Sequence, residues 1–187
     1  DGPGPDAAWV DYYVKASRRE IYDWLTGFGV RFEKDVILMP DNSVPRWHKV
    51  VGKGAGLLEP IYRECRKSGK AEFLFGVEAV SLLRDETGRI TGVSTRRVKD
   101  GAAADYHAPV VILATGGFQS NLDMVRKHWP KDLPLPDHML IGGGLHATGS
   151  GHEMAQAVGA RLANMHYQLN YPTGLKNPLD PTGRRGL

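Results

Sequence analysis

Apolar residues recur at three- and four-residue steps through the first part of the chain. Trp9, Tyr12, Tyr13, Ala16, Ile21, Trp24 and Leu25 trace one side of a helix predicted over residues 7–25. Gly27 and Gly29 end it, and Val30, Phe32, Val36 and Leu38 predict a short strand pair. Residues 40–54 read as a loop. A second helix follows with Leu57, Leu58, Ile61, Tyr62 and Cys65 on one face, and closes near Lys67, Ser68 and Gly69. Pro60 is placed in or just past its first turn, where a missing N–H does least harm.

From Glu72 the period changes. Phe73 and Phe75, then residues 77–83 and 90–98, predict strands, broken at Asp85-Glu86-Thr87-Gly88 and again at Lys99-Asp100-Gly101. Residues 106–109 make a further short strand. Val110, Val111, Ile112, Leu113 and Ala114 form an unbroken apolar run, the pattern of a strand buried on both faces. Helices are predicted over about 120–128 and 151–158, separated by a proline-rich loop. The order is helix, antiparallel meander, buried strand, glycine turn, helix. It predicts an α/β fold in which a meander precedes the last strand of a parallel nucleotide-binding sheet.

Composition narrows the class. The chain has 187 residues, 41% hydrophobic and 24% charged, which excludes disordered and fibrous types. No run approaches the roughly 20 apolar residues of a membrane helix. The net charge of +3, with no basic run interleaved with aromatics, gives no argument for nucleic acid. A single cysteine, Cys65, excludes a disulfide framework and a cysteine zinc site. Histidines 48, 107, 128, 138, 146, 152 and 166 show no metal-ligand spacing. With no targeting segment read at the start, the expected location is the cytoplasm. The opening Asp1-Gly2-Pro3 and the turn-rich last residues lead to the expectation of a piece of a longer protein.

Two glycine turns carry the chemistry. In Ala114-Thr115-Gly116-Gly117-Phe118, a strand ends in paired glycines, which lets backbone approach a ligand at the carboxyl end of a sheet. Asn121 follows as a helix cap. About thirty residues on, Thr148-Gly149-Ser150-Gly151 leads into a second helix, whose N-terminal N–H groups suit phosphate or electron-rich ring oxygens; Gly159-Ala160 closes that helix. Gly52-Lys53-Gly54-Ala55-Gly56-Leu57 imitates a dinucleotide fingerprint. Leu57 stands where close helix–strand packing wants glycine or alanine, so it reads as a glycine-rich helix start and disfavours an NAD(P)-binding domain.

These motifs resemble the flavoprotein family of fumarate reductases, succinate dehydrogenase flavoprotein subunits, tricarballylate dehydrogenase and 3-ketosteroid dehydrogenases. Val80-Ser81-Leu82-Leu83, Gly88-Arg89-Ile90-Thr91-Gly92-Val93 and Tyr22-Asp23-Trp24-Leu25 extend the resemblance over most of the chain. It implies FAD as cofactor and a FAD-binding Rossmann-like parallel sheet with an inserted antiparallel β-meander, seen as a fragment. Residues 1–187 would be the central part of that domain. The amino-terminal fingerprint, the substrate-capping domain and the family's proton-donating arginine would lie elsewhere, so this chain alone is expected not to complete a turnover.

The resemblance also implies roles. The backbone of Val80 would meet the adenine end, Ala114, Thr115, Gly116 and Gly117 would line the dinucleotide, and Thr148, Gly149, Ser150 and Gly151 would sit close to the flavin. Two departures matter. Ser150 replaces the family's acidic residue, and Gln168-Leu169-Asn170-Tyr171-Pro172-Thr173 carries Tyr171 where dicarboxylate reducers carry a substrate-binding histidine. A phenol suits a carbonyl better than a carboxylate, as hydrogen-bond or proton donor, and packing beside the flavin is the equal alternative. The implied reaction is hydride transfer between flavin and an activated C–C bond of a small organic or ketosteroid-like molecule. The rival reading is a non-catalytic FAD-binding or degenerate module. No residue points to a particular electron acceptor or oligomeric state.

Overall fold

A computed structural model describes residues 6–33, 48–142, 144–170 and 174–186. The chain divides into two compact units, Pro3–Leu74 and Phe75–Leu187, the second also taking in Asp1–Gly2.

In the first unit the expected helix is continuous but not uniform. Asp6 caps α1 (Ala7–Ser17), its carboxylate accepting from Ala8 N at 2.9 Å. The coil then widens into a π-helical stretch, Arg18–Asp23, and tightens again as α2 (Trp24–Gly27). Gly29, at φ +89°, turns the chain out, its N–H donating to Thr26 O at 2.9 Å. Phe32 pairs antiparallel with Val50, so residues read as loop supply the partner strand. Val36, Leu38 and Trp47 lie outside the described residues. Tyr22 stacks on Phe32 at 5.0 Å, and His48 meets both rings edge-on.

The 52–57 segment is a helix start, as its residues suggested. Gly52, at φ +83°, precedes α3 (Lys53–Ser68), and a Cβ on Gly56 would run into the Val51 carbonyl. Pro60 lies deeper than expected, about two turns into α3, where the backbone N–H bond to residue 56 is forgone. Gly69, left-handed at φ +65°, closes the helix.

In the second unit the meander is an antiparallel sheet of β1 (Val77–Arg84), β2 (Ile90–Arg97) and β3 (Ala103–His107), in that order. Asp85 shapes the first turn by accepting from Thr87 N and Arg89 N at 2.9 and 3.0 Å. The third strand starts earlier than residue 106, because Arg96 is already paired with Ala103. Buried Thr95 fastens it, Oγ1 donating to Ala104 O at 2.8 Å.

The parallel strand expected at 110–114 is absent as a strand. That segment forms no ladder, and Val110 and Ile112 are 70% and 84% exposed. An apolar run records a demand for neighbours on both faces, but a ladder needs a strand alongside, and no described strand pairs with it. Among the described residues the one parallel pairing is an isolated bridge between Ile141 and Arg185.

Two short helices follow, α4 (Leu122–Lys127) and α5 (Ser150–Ala157). Phe118, Met124 and Val125 form a buried cluster, with Trp129, Met139 and Met165 packed against it. Gly159, at φ +94°, ends α5 together with an Ala160 N–H donated to Ala155 O. Among the described residues no helix is long and apolar enough to cross a membrane.

Candidate cofactor site

The two glycine turns, far apart in sequence, are joined by backbone. Gly149 N donates to Gly117 O at 3.1 Å, and Ser120 N donates to Ala147 O at 3.0 Å. Asn121 adds a side-chain tie, Nδ2 to Thr148 O at 3.1 Å, while its Oδ1 accepts from Met124 N and caps α4. The expected cap is present, and it does more than cap.

The glycines have distinct reasons to be glycine. A Cβ on Gly149 would run into Met124 Sδ and lie 2.9 Å from Phe118 Cβ, so that residue is demanded by the core. A Cβ on Gly151 would collide with the Thr115 hydroxyl, so Thr115 and Gly151 form a close backbone-to-side-chain contact. Gly116 differs. It is exposed, at φ +75°, with no atom within 4 Å of where a Cβ would stand. Backbone curvature requires glycine there, and the face it presents is open.

Around the turns lie two histidines. Their rings approach Phe118 at 5.9 Å for His128 and 5.7 Å for His152. Burial, then neighbouring Lys127 and His152, lower the pKa of His128 below the ordinary value. Among the described residues, His152 Nδ1 and Ser120 Oγ are buried and find no hydrogen-bond partner, which leaves polar capacity next to the second turn.

A groove of about 440 Å³ opens between β1 and α5. Val80, Ser81 and Leu82 line one wall, and Ser150, Glu153, Met154, Ala157 and Val158 the other. The second set follows the three- and four-residue spacing of one helix face, a signal present in the sequence but not read there. Arg96 and Glu78, ion-paired at 2.7 Å, also line the groove.

Of the expected site residues, Val80 and Ser150 therefore share one groove, and Thr115, Gly117, Thr148, Gly149 and Gly151 meet at the joined turns. Ala114 belongs to the exposed extended segment that leads into the first turn. Tyr171 lies outside the described residues. Sequence reasoning placed Gln168 in the Tyr171 motif but missed what it does. Its Nε2 donates to Val125 O and His128 O at 3.1 and 3.0 Å, capping the end of α4 from forty residues away.

A large anionic cofactor with a planar ring system needs open backbone, N–H donors and an apolar wall. The bare face of Gly116, the groove wall of Val80, Leu82, Met154 and Val158, and α5 meet those needs. Gly149, the residue before α5, has no side chain with which to cap it, and among the described residues no side-chain cap bond is made there. The profile of the FAD binding domain family matches residues 1–186. The chain belongs to that FAD-binding domain family.

Individual relatives agree. A KsdD-like steroid dehydrogenase of Mycolicibacterium smegmatis is 29% identical over 90% of this chain and 35% of its own length. A urocanate reductase of Eggerthella lenta is 31% identical over 65% of this chain and 20% of its own. The crystal structure of 3-ketosteroid-Δ4-(5α)-dehydrogenase from Rhodococcus jostii RHA1, in complex with 4-androstene-3,17-dione, superimposes with a TM-score of 0.72. That match is 27% identical and covers 88% of this chain and 40% of the other. The chain thus spans about a third of the length of the steroid dehydrogenase relative (35%).

Proposed function

We propose that residues 1–187 are the central part of the FAD-binding domain of an oxidoreductase acting on an activated C–C bond. The observation that carries this reading is the joining of Gly117 to Gly149, which sets the open Gly116 turn beside the uncapped start of α5 in a member of this family. Residues 110–114 then become a strand of a Rossmann-like parallel sheet whose neighbours come from other parts of the protein. That accounts for an apolar run left exposed.

Ala114, Thr115, Gly116 and Gly117 would line the dinucleotide. Val80 would offer backbone to the adenine end, and Thr148, Gly149, Ser150 and Gly151 would face the ring system. When bound, FAD supplies hydride transfer. The chain's own residues place the cofactor, exclude water with the apolar groove wall of Val80, Leu82, Met154 and Val158, and offer N–H groups from α5 to electron-rich oxygens. Ser150 donates or accepts one hydrogen bond where an acidic residue would add charge.

Tyr171 is assigned to the substrate. A neutral phenol donates to a ketone but does not offset a carboxylate, so the substrate would be a neutral or singly charged molecule with a carbonyl beside the reacting carbons. The named relatives, two of them steroid dehydrogenases, support this choice. The location proposed is the cytoplasm.

The test is anaerobic addition of a 3-ketosteroid or another enone-forming ketone to the flavin-loaded protein, followed by loss of the flavin's visible absorbance. Tyr171→Phe should slow that bleaching by roughly 10²-fold or more, at unchanged flavin content. Rapid turnover of a dicarboxylate such as fumarate, indifferent to Tyr171→Phe, would refute the substrate assignment.

A further inference from the structure

The peptide between Thr148 and Gly149 is held at both of its ends. Its N–H, on Gly149, donates to Gly117 O at 3.1 Å, and its carbonyl, on Thr148, accepts from Asn121 Nδ2 at 3.1 Å. The group is planar, so fixing both ends fixes its orientation. It also immediately precedes α5, whose first residue is Ser150. Only Gly149, at φ +84°, lies between this peptide and the first N–H of α5, so the two ties steer how the helix begins.

Capping α4 needs only an acceptor. Serine, threonine and aspartate would each serve for the Met124 N–H that Asn121 Oδ1 receives at 3.1 Å. The donor on the same short side chain is specific to asparagine among the common caps that carry a carbonyl oxygen. That surplus donor goes to the second glycine turn, 27 residues away. We infer that Asn121 is a positioning residue for the cofactor: it sets the α5 entry peptide so that the start of α5 meets FAD. This inference rests on the cofactor-site reading above.

Asn121→Asp separates the two roles, because it keeps the cap on α4 and removes the donor toward Thr148. In the flavin-loaded protein it should raise the FAD dissociation constant by roughly 5- to 10-fold, the loss of one net hydrogen bond against a facing carbonyl. The apoprotein loses the same single bond, so its melting temperature should fall by roughly a few degrees, while its near-ultraviolet circular dichroism should stay that of the unmodified protein. The deficit should shrink as pH falls into the carboxyl range, since the introduced carboxyl group, once protonated, again offers an O–H. Asn121→Ser, which caps but is too short to reach Thr148, should lose affinity at every pH.

Unchanged FAD affinity in Asn121→Asp would overturn the inference. So would a loss of affinity that does not recover at low pH, or one accompanied by a changed near-ultraviolet spectrum of the apoprotein. Gly116→Val serves as the control on the site itself. If it keeps its flavin, the cofactor-site reading fails along with this inference. If Gly116→Val loses flavin and Asn121→Asp does not, only the role of Asn121 fails.

Discussion

Thr115 and Gly151 share one space. The Thr115 hydroxyl lies where a side chain on Gly151 would begin, and Thr115 Cβ and Cγ2 would be only 3.0 and 3.2 Å from it. The contact joins the first glycine turn to α5 by shape rather than by hydrogen bonding.

Gly151→Ala should therefore destabilise the fold by about 1–3 kcal/mol, the usual range for forcing a methyl into packed structure. Thr115→Ala in the same chain removes the colliding hydroxyl and Cγ2 and should recover part of that loss. Denaturant midpoints of the two single variants and the double variant give the coupling. Additive effects would show that the two residues do not meet.

Gly116 calls for a different pair of substitutions. Valine at φ +75° is strained by about 1–3 kcal/mol, whereas asparagine tolerates the left-handed region. Gly116→Val should lose flavin while keeping much of its fold. Gly116→Asn adds a side chain on the open face with little strain, so flavin lost from it reports crowding of the cofactor. Flavin-to-protein absorbance ratios after gel filtration measure both. Normal flavin in both variants would remove the Ala114-to-Gly117 segment from the cofactor site.

Asp180 governs the last turn. Its carboxylate accepts from Arg185 N and Arg184 N at 2.8 Å and from Thr182 N at 3.2 Å. The backbone N–H of Arg185 foremost, with help from Thr182 and Arg184, lowers its pKa to about 2. The folded value lies below the unfolded one, roughly 3.9, so the stabilisation is complete above pH of about 4 and fades as pH falls through about 2. At neutral pH, Asp180→Asn should speed hydrogen exchange at Thr182, Arg184 and Arg185. Below pH of about 2 the variant and the unmodified protein should converge. Equal exchange at neutral pH would show that the carboxylate does not hold this turn.

Local chemistry was legible in the residue order. The cap at Asn121, the glycine exits at Gly29, Gly69 and Gly159, and the Asp85 and Gly101 turns each depend on residues within a few positions, and each formed as expected. The two long strands of the meander did as well, because hairpin pairing follows from alternation and turn length, whereas the strand expected at Phe73 and Phe75 did not form and the last strand lies at 103–107 rather than 106–109. The two glycine motifs were visible too, since paired glycines and a helix start leave short-range marks.

Only the tertiary structure decided what those marks are for. Gly149 and Gly151 look alike in sequence, yet Met124 and Phe118 require the one and Thr115 the other. The second bond of Asn121 and the reach of Gln168 to the end of α4 join residues 27 and 40 positions apart, and no periodicity records such pairs. The run at 110–114 shows the same division from the other side. Its composition states that both faces seek burial, but burial is a property of neighbours, and a chain segment does not carry its neighbours in its own sequence.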